Sequence, residues 1–220
     1  MLAINWRRAY ALFVLVTSTL ASGYVCAAPL LLVDGQNYSQ LATPELTATG
    51  KKIEVLEVFS YGCIHCFEFE PAMREWQKHM PKDVQLQLMP ATFNVNFAMY
   101  ARGYYAAESL GVAGKLHQQV WDAVWVKKLE VPDIDALANL YTRLGVNHDK
   151  FVVAAKSPEV AAALKNAGRK SERMQLSATP TLYVDGKYQV LLTGVTSYND
   201  IIQRLDALIL KVRAERSGRR

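Results

Sequence analysis

The sequence has too few cysteine and histidine residues in one place for a structural zinc site. It contains three cysteines and four histidines, and only Cys63, His65 and Cys66 lie close together. The other histidines stand singly along the chain, at His79, His117 and His148. Structural zinc sites normally use four Cys or His ligands, which usually come as two paired motifs. The single CxxC motif therefore argues against a metal site, and we expect none.

A long apolar run is also lacking. The uncharged, mostly apolar stretch Ala9–Val25 is short for a membrane-spanning helix. It follows Arg7 and Arg8 and leads into the small residues 26–28, an order typical of a secretory signal peptide. Export would deliver the chain to an oxidising compartment, where a cysteine pair can exist as a disulfide.

The small residues favour cleavage before Ala28, which would remove residues 1–27 and Cys26 with them. Cleavage before Pro29 or after Gly23 is an alternative, and so is an uncleaved anchor or a lipid attached to Cys26. With the cut before Ala28, the CxxC motif holds the only cysteines of the mature chain.

The chain has no large excess of charge of either sign once its two ends are set aside. The formal net charge of +5 falls to +3 without Arg7 and Arg8. The tail Lys211–Arg220 holds five basic residues and Glu215, so that the rest of the chain is near −1. A basic fringe on a nearly neutral body argues against nucleic-acid binding.

The first half of the sequence predicts a strand, a helix and a second strand. Lys52–Ser60 is a dense apolar and β-branched run, typical of a buried central strand. A helical pattern then runs from the CxxC motif to about Met80, and Pro71 should kink it or mark a weak turn. Val84–Met89 alternates like a second strand. Because this order is that of a βαβ unit, we expect the two strands to be parallel.

Helical periodicity dominates from about residue 96 to residue 173. It is strongest in four segments, Phe97–Leu110, Lys115–Val126, Ile134–Leu144 and Pro158–Leu176.

Strand patterns return after this helical block. Thr181–Val184 and Tyr188–Leu192 are joined by Asp185-Gly186, a strong hairpin signal. A final helix is predicted at Asn199–Ala214. The predicted fold class is therefore α/β, a mixed sheet with an inserted all-helical domain. We expect the sheet domain to comprise residues 28–95 and 174–216, and the helical insertion to comprise residues 96–173.

The position of the CxxC motif favours a redox pair. A disulfide between Cys63 and Cys66 would close too short a loop to stabilise the fold by much. Cys63 should instead lie at the N-terminal end of a helix, where free backbone N–H groups and the helix dipole favour a thiolate. His65, in the first helical turn, can add a positive charge or a hydrogen bond to the same sulfur.

Three parts of the sequence resemble the DsbA family, periplasmic thiol:disulfide oxidoreductases with a thioredoxin fold. They are "VLEVFSYGCIHCFEFEP", the later "SATPTLYVDGKYQ", and the helical block between them. The resemblance implies that Cys63 is the nucleophile that forms a mixed disulfide with the substrate and that Cys66 resolves it. It also implies that His65 stabilises the Cys63 thiolate, which makes the disulfide strongly oxidising.

The resemblance extends to residues outside the CxxC motif. Pro180 resembles the cis-proline of the loop that faces the dithiol, and Thr179 would offer its backbone to an extended substrate segment. Glu57 resembles the buried acid beneath the active site of this family. Burial should raise the pKa of Glu57, so that it can exchange a proton with Cys66. A glutamate at a strand edge is the alternative.

Two features depart from the family pattern. Ile64 stands where the best-known DsbA has proline, so the redox potential can differ. Residues 84–100 contain no Lys or Arg, so the lysine near the buried acid of well-known members has no obvious equivalent here.

The resemblance implies an exported, monomeric enzyme that donates its disulfide to reduced, newly secreted polypeptides. A DsbB-like, quinone-linked membrane protein would reoxidise it, and no cofactor is expected because the dithiol carries its own electrons. One alternative is a reductase or isomerase on the same fold, although the absence of a visible dimerisation domain argues against a DsbC-like isomerase. The other is a periplasmic chaperone or peptide-binding module in which the dithiol is incidental.

Overall fold

A computed structural model describes residues 30–218, so the predicted signal peptide, including Cys26 and the cleavage site, lies outside the described residues. Within residues 30–218, no helix is both long enough and apolar enough to cross a membrane. The elements in chain order are β1 (Tyr38–Gln40), β2 (Ile53–Phe59), α1 (Ile64–His79), β3 (Val84–Pro90), α2 (Val95–Ser109), α3 (Ala113–Trp121), a π-helical turn (Asp122–Val126), α4 (Ile134–Arg143), α5 (His148–Ala155), α6 (Pro158–Arg173), β4 (Thr181–Val184), β5 (Tyr188–Val190) and α7 (Tyr198–Arg216).

The five strands form one mixed sheet in the order β1-β5-β4-β2-β3. The predicted parallel pairing of β2 with β3 is confirmed, and it begins with Ile53 opposite Val84. β4 pairs antiparallel with both β2 and β5, and β5 pairs antiparallel with β1. Every residue of β2 is buried, as expected of a central strand.

Helices cover both faces of the sheet. On one face, α1 and α7 pack against β2 and β4 through apolar residues, among them Val55, Phe69, Met73, Leu182, Leu205 and Leu208. On the other face, the end of α6 and the segment after it pack against Leu56, Val58 and Tyr183 through Ala167 and Met174. The layers are thus helix, sheet and helix.

Helices α2 to α6 all come between β3 and β4 in the chain, as the helical periodicity predicts. Helices α2, α4, α5 and α6 each start after a capping side chain that accepts a hydrogen bond from the backbone N–H three residues later, namely Asn94, Asp133, Asn147 and Ser157. The core of these helices is continuous with the end of β2, because Phe59, Tyr61, Cys63 and Cys66 pack in the same apolar cluster. The CxxC motif therefore lies where the sheet meets the helical block.

Several element boundaries differ from the sequence prediction. β1 and α5 were not predicted as separate elements, and the helix predicted at Lys115–Val126 is α3 followed by the π-helical turn. The last hairpin strand ends at Val190, two residues earlier than expected. Helix α1 runs on through Pro71, which lies inside it rather than at its end.

The hairpin signal Asp185-Gly186 is confirmed in its backbone. Both residues have positive φ, 57° and 62°, and they are the central residues of a tight turn closed by a hydrogen bond from the Lys187 N–H to the Val184 carbonyl. A side chain at Gly186 would also put its Cβ 2.2 Å from the carbonyl oxygen of Glu45. Glycine is therefore required here by conformation and by space.

Candidate active site

Cys63 and Cys66 lie in the first turn of α1, directly after the central strand. Cys63 is the N-cap residue, and its N–H donates to the carbonyl of Ser60 at 2.9 Å. Both cysteines are free thiols, Cys63 with 9% and Cys66 with 1% of its surface exposed. The two sulfurs therefore differ in access, and only Cys63 borders solvent.

The surroundings of Cys63 lower the pKa of its thiol to about 5. The largest cause is a hydrogen bond from the Cys66 thiol, which burial partly opposes. The Thr179 side chain and the backbone N–H groups of Cys66 and His65 add further hydrogen bonds to the thiolate. Such groups at a helix N-terminus stabilise an anion, so Cys63 is a thiolate at neutral pH.

The pKa of the Cys66 thiol is shifted in the opposite direction. Burial raises it, and the hydrogen bond that Cys66 gives to the Cys63 thiolate raises it further. The reduced pair therefore consists of one thiolate that borders solvent, at Cys63, and one fully buried thiol, at Cys66. A thiolate both attacks and leaves readily in thiol–disulfide exchange, so this asymmetry gives the two cysteines different chemical roles.

The His65 side chain contacts Glu68 and not the dithiol. It is 72% exposed, and its Nδ1 lies 3.4 Å from Oε2 of Glu68. The same carboxylate oxygen accepts a hydrogen bond from the Tyr198 hydroxyl at 2.8 Å. Among the hydrogen bonds of residues 30–218, none joins the imidazole to Cys63. It is the backbone N–H of His65 that faces the thiolate.

The loop before β4 faces the dithiol. The peptide bond between Thr179 and Pro180 is cis, as the resemblance implied. Sγ of Cys63 lies 3.4 Å from the Thr179 carbonyl oxygen, which accepts a hydrogen bond from it only while the thiol is protonated. Pro180 is buried, whereas Thr179 is half-buried. A substrate bound at Cys63 would therefore lie beside the Thr179 backbone.

Glu57 lies in the middle of β2 rather than at a strand edge and is 3% exposed. Its neighbours across the sheet are Leu88 on β3 and Leu182 on β4. Burial and the nearby Glu70 carboxylate raise the pKa of Glu57 to about 8. In the described chain Glu57 forms no salt bridge, in line with the absence of Lys and Arg from residues 84–100. Glu57 is thus mostly protonated at neutral pH.

Glu57 lies on the sheet face that α1 covers. Side chains two apart in a strand share a face, and both Val55 and Phe59 pack against α1 residues. Phe59 shares its apolar cluster with Cys66, and Val55 shares its cluster with Phe69. The Glu57 carboxyl therefore lies beneath the first turns of α1.

The sequence did not reveal a buried polar cluster beside these residues. The Tyr61 hydroxyl lies 2.7 Å from Nδ1 of His117, whose Nε2 is 3.4 Å from Oε2 of Glu70. The Trp125 indole N–H donates to the Tyr61 carbonyl at 2.8 Å, which ties the helical block to the loop before Cys63. His117 is 51 or more residues from the CxxC motif, so spacing gave no signal for it.

No group of three or more His, Cys, Asp or Glu side chains within residues 30–218 could hold a metal ion. The site as described consists of thiols, carboxyls, hydroxyls and imidazoles.

Comparisons with known proteins agree with this geometry. The family model described as "DSBA-like thioredoxin domain" matches residues 81–206. The thiol:disulfide interchange protein DsbA of Azotobacter vinelandii is 32% identical over 182 residues, which cover 82% of this chain and 84% of that protein. DsbA of Pseudomonas aeruginosa strain PAO1 is 29% identical, covering 82% of this chain and 85% of its own length.

Solved structures give the same result. The crystal structure of oxidoreductase DsbA from Xylella fastidiosa superposes with a TM-score of 0.79 at 32% identity, covering 84% of this chain and all of that chain. The crystal structure of Pseudomonas aeruginosa DsbA gives a TM-score of 0.78 at 28% identity, covering 83% and 95%.

The mixed sheet of thioredoxin type and the asymmetric dithiol at the start of α1 define a thiol:disulfide oxidoreductase. The chain belongs to the DsbA-like thioredoxin family.

Proposed function

We propose that this enzyme donates its Cys63–Cys66 disulfide to exported polypeptides during oxidative folding. The observation that carries the proposal is the low pKa of Cys63, about 5, beside the buried Cys66 thiol. Whatever stabilises the Cys63 thiolate stabilises the reduced enzyme, and a stabilised reduced form makes the disulfide a strong oxidant.

The reaction follows from these roles. A substrate thiolate attacks Sγ of Cys63, the enzyme disulfide breaks, and the electron pair leaves on Cys66, which takes up a proton. A second substrate thiolate then attacks the substrate sulfur of the mixed disulfide and expels Cys63 as a thiolate. The substrate loses two electrons and its two thiol protons; one proton stays on Cys66 and the other is released.

We propose distinct roles for the residues around the dithiol. Thr179 pairs its backbone with an extended substrate segment, by the logic of strand addition. Pro180 keeps that face free of a competing N–H group. His65 tunes the stability of the Cys63 thiolate, and Glu57 exchanges a proton with Cys66. The 3.4 Å contact between Sγ of Cys63 and the Thr179 carbonyl oxygen, and the burial of Glu57, support these assignments.

We further propose that the enzyme works in the periplasm as a monomer, with residues 1–27 removed as a signal peptide. Reoxidation would fall to a DsbB-like membrane protein linked to quinone, and neither nucleic acid nor a cofactor would take part. The sheet domain would comprise residues 28–95 and 174–216, with residues 96–173 as the helical insertion. The position of α2–α6 between β3 and β4 supports this division.

Equilibration with glutathione buffers tests the direction of transfer. The oxidised mature protein should also oxidise a reduced, unfolded polypeptide with two cysteines, and Cys63→Ser should abolish this reaction. A redox potential near that of thioredoxin, about −270 mV, would make the protein a reductase instead. Substrate binding and biological effect that survive Cys63→Ser together with Cys66→Ser would make it a peptide-binding module.

A further inference from the structure

His117 comes from the helical block, yet its side chain lies under the active site. The side chain is 15% exposed, and its ring lies 5.3 Å from the ring of Phe59 at the end of β2. Its Nδ1 contacts the Tyr61 hydroxyl at 2.7 Å. Its Nε2 accepts a hydrogen bond from the Trp121 indole at 3.2 Å and also lies 3.4 Å from Oε2 of Glu70.

These two partners of Nε2 require different protonation states. The indole N–H of Trp121 is only a donor, so it bonds to an unprotonated Nε2. The ionised Glu70 carboxylate is only an acceptor, so it bonds to a protonated Nε2. One proton between Glu70 and His117 can therefore sit on the carboxyl or on the ring, and each position has a partner already in place.

Glu70 connects this pair to the dithiol. It lies one helical turn after Cys66 on α1, and residues four apart share a helix face. The Glu70 carboxylate is also close enough to Glu57 to raise the pKa of that buried acid. Cys66, Glu57, Glu70 and His117 are thus four titratable groups gathered under the first turns of α1, with His117 in contact with Glu70.

The other side of His117 opens to solvent. A cleft of about 480 Å³ between α1, β3 and the helical block is lined by His117 and Tyr104. Gln77 of α1 and the edge strand β3, through Gln85 and Gln87, also line the cleft. Leu88, which also lines the cleft, is the neighbour of Glu57 in the sheet. The cleft is thus a route by which water can reach His117 without passing the dithiol.

We propose that Glu70 and His117 carry protons between this cleft and Glu57 while Cys66 gains or loses its proton. The inference rests on the proposed function, in which Cys66 takes up one proton each time the enzyme disulfide is reduced. Glu57 gives its proton to Cys66, and the Glu70–His117 pair replaces it from the cleft.

The charged and titratable groups around the pair are Glu57 on β2, Tyr61 after it, Glu70 and Arg74 on α1, Tyr104 and Glu108 on α2, Asp122 after α3 and Tyr141 on α4.

The rate at which a dithiol reduces the enzyme disulfide, measured in single turnovers from pH 5 to pH 9, tests this relay. His117→Asn and Glu70→Gln keep hydrogen-bonding groups but cannot exchange protons in this range. We expect each variant to react about tenfold more slowly than the wild type at pH 9, where most Glu57 carboxyls have lost their proton before the reaction begins, an effect at the low end of general acid–base catalysis. At pH 5, nearly every Glu57 carboxyl is protonated before the reaction begins. The variant and wild-type rates should therefore agree within about twofold at pH 5.

His79→Asn is the matched control, because His79 is an exposed histidine at the end of α1. The His79→Asn variant should have the same rate of disulfide reduction as the wild type at every pH. A merely structural role for His117 would slow the reaction equally at pH 5 and pH 9, and that result would overturn the relay. Variant profiles that superimpose on that of the wild type would overturn it too.

Nitrogen NMR of the wild-type protein keeps the relay testable if the variants do not fold. The ring nitrogens of His117 should change in chemical shift between the oxidised and reduced protein, because Cys66 differs by one proton. Identical shifts in both states from pH 5 to pH 9 would overturn the relay. Failure of the proposed function is separate, since the wild type would then fail to oxidise a substrate polypeptide at any pH.

Discussion

Sγ of Cys63 lies 3.4 Å from the carbonyl oxygen of Thr179, a residue 116 positions later in the chain. The sheet explains this contact. β2 and β4 are antiparallel neighbours, with Val58 opposite Thr181. The end of β2, from which the chain continues to the dithiol, therefore lies next to the start of β4, which the chain enters through Thr179. Two distant segments form one face, and the whole helical block can lie between them in the sequence without disturbing it.

Cys63 should be the only rapidly alkylated cysteine of the reduced mature protein, with a midpoint near pH 5. The reason is that the Cys66 thiol, as hydrogen-bond donor, is the largest cause of the lowered pKa of Cys63. Two variants test whether the hydrogen bond from Cys66 lowers the pKa of Cys63. Cys66→Ala removes the donor and should raise the pKa of Cys63, whereas Cys66→Ser keeps a hydroxyl donor and should raise it less. Alkylation rates against pH measure both. Faster alkylation of Cys66 than of Cys63 in the wild type would reverse the assigned roles.

His65→Ala should raise the pKa of Cys63 and make the disulfide less oxidising, because a group that can be positively charged is lost from the first turn of α1, two residues after Cys63. Glu68→Gln should act in the opposite direction, since it removes a negative charge and releases the ring that Glu68 holds at 3.4 Å. The measurement is the equilibrium with glutathione for both variants. A potential within about 10 mV of the wild type, under about half a kcal/mol, would assign the tuning to the backbone N–H groups and the helix end alone.

Glu57→Gln should remove a pH-dependent loss of stability. The pKa of Glu57 is raised from 4.5 to about 8 by folding, so the unfolded chain releases this proton first as the pH rises. Its contribution to the free energy of unfolding therefore falls between about pH 4.5 and pH 8. Over the interval from about pH 4.5 to pH 7 the loss is about 3 kcal/mol.

Denaturant unfolding of the wild type and Glu57→Gln at several pH values measures this difference. Glu172→Gln is the control, because Glu172 is exposed on α6. A stability difference between wild type and Glu57→Gln that stays constant from pH 4.5 to pH 8 would contradict the raised pKa of Glu57.

Local signals in the sequence predicted the central architecture. The β-branched run of β2, the alternation in β3 and the turn residues Asp185-Gly186 each specify an element by themselves, and their order then gives the pairing of β2 with β3. β1 was not predicted because its three residues are too few for a periodic pattern. Its place at the sheet edge comes from pairing with β5, which is tertiary information.

In the active site, too, some residues could be predicted from local sequence, whereas others depend on tertiary contacts. Cys63 and Cys66 are identified by spacing, and the position before a helix predicts which one is the thiolate. The direction of the His65 ring depends on Glu68 and on Tyr198 from α7, which no local pattern reports. His117 is a lone histidine in the sequence and becomes part of the site only because α3 packs against the end of β2.

Pro180→Thr should slow the release of substrates and let mixed disulfides on Cys63 accumulate. Proline has no N–H, so the residue after Thr179 offers the dithiol face no backbone donor. A threonine there adds an N–H and a hydroxyl close to the sulfur that forms the mixed disulfide, and both can hydrogen-bond to a docked substrate strand or to the leaving thiolate. Non-reducing gels of cells that express the variant would show substrate-linked species, which should disappear with dithiothreitol. Pro158→Thr, at the exposed start of α6, is the control and should yield none. If Pro180→Thr accumulates no more mixed disulfide than this control, substrates do not dock along the backbone at Thr179.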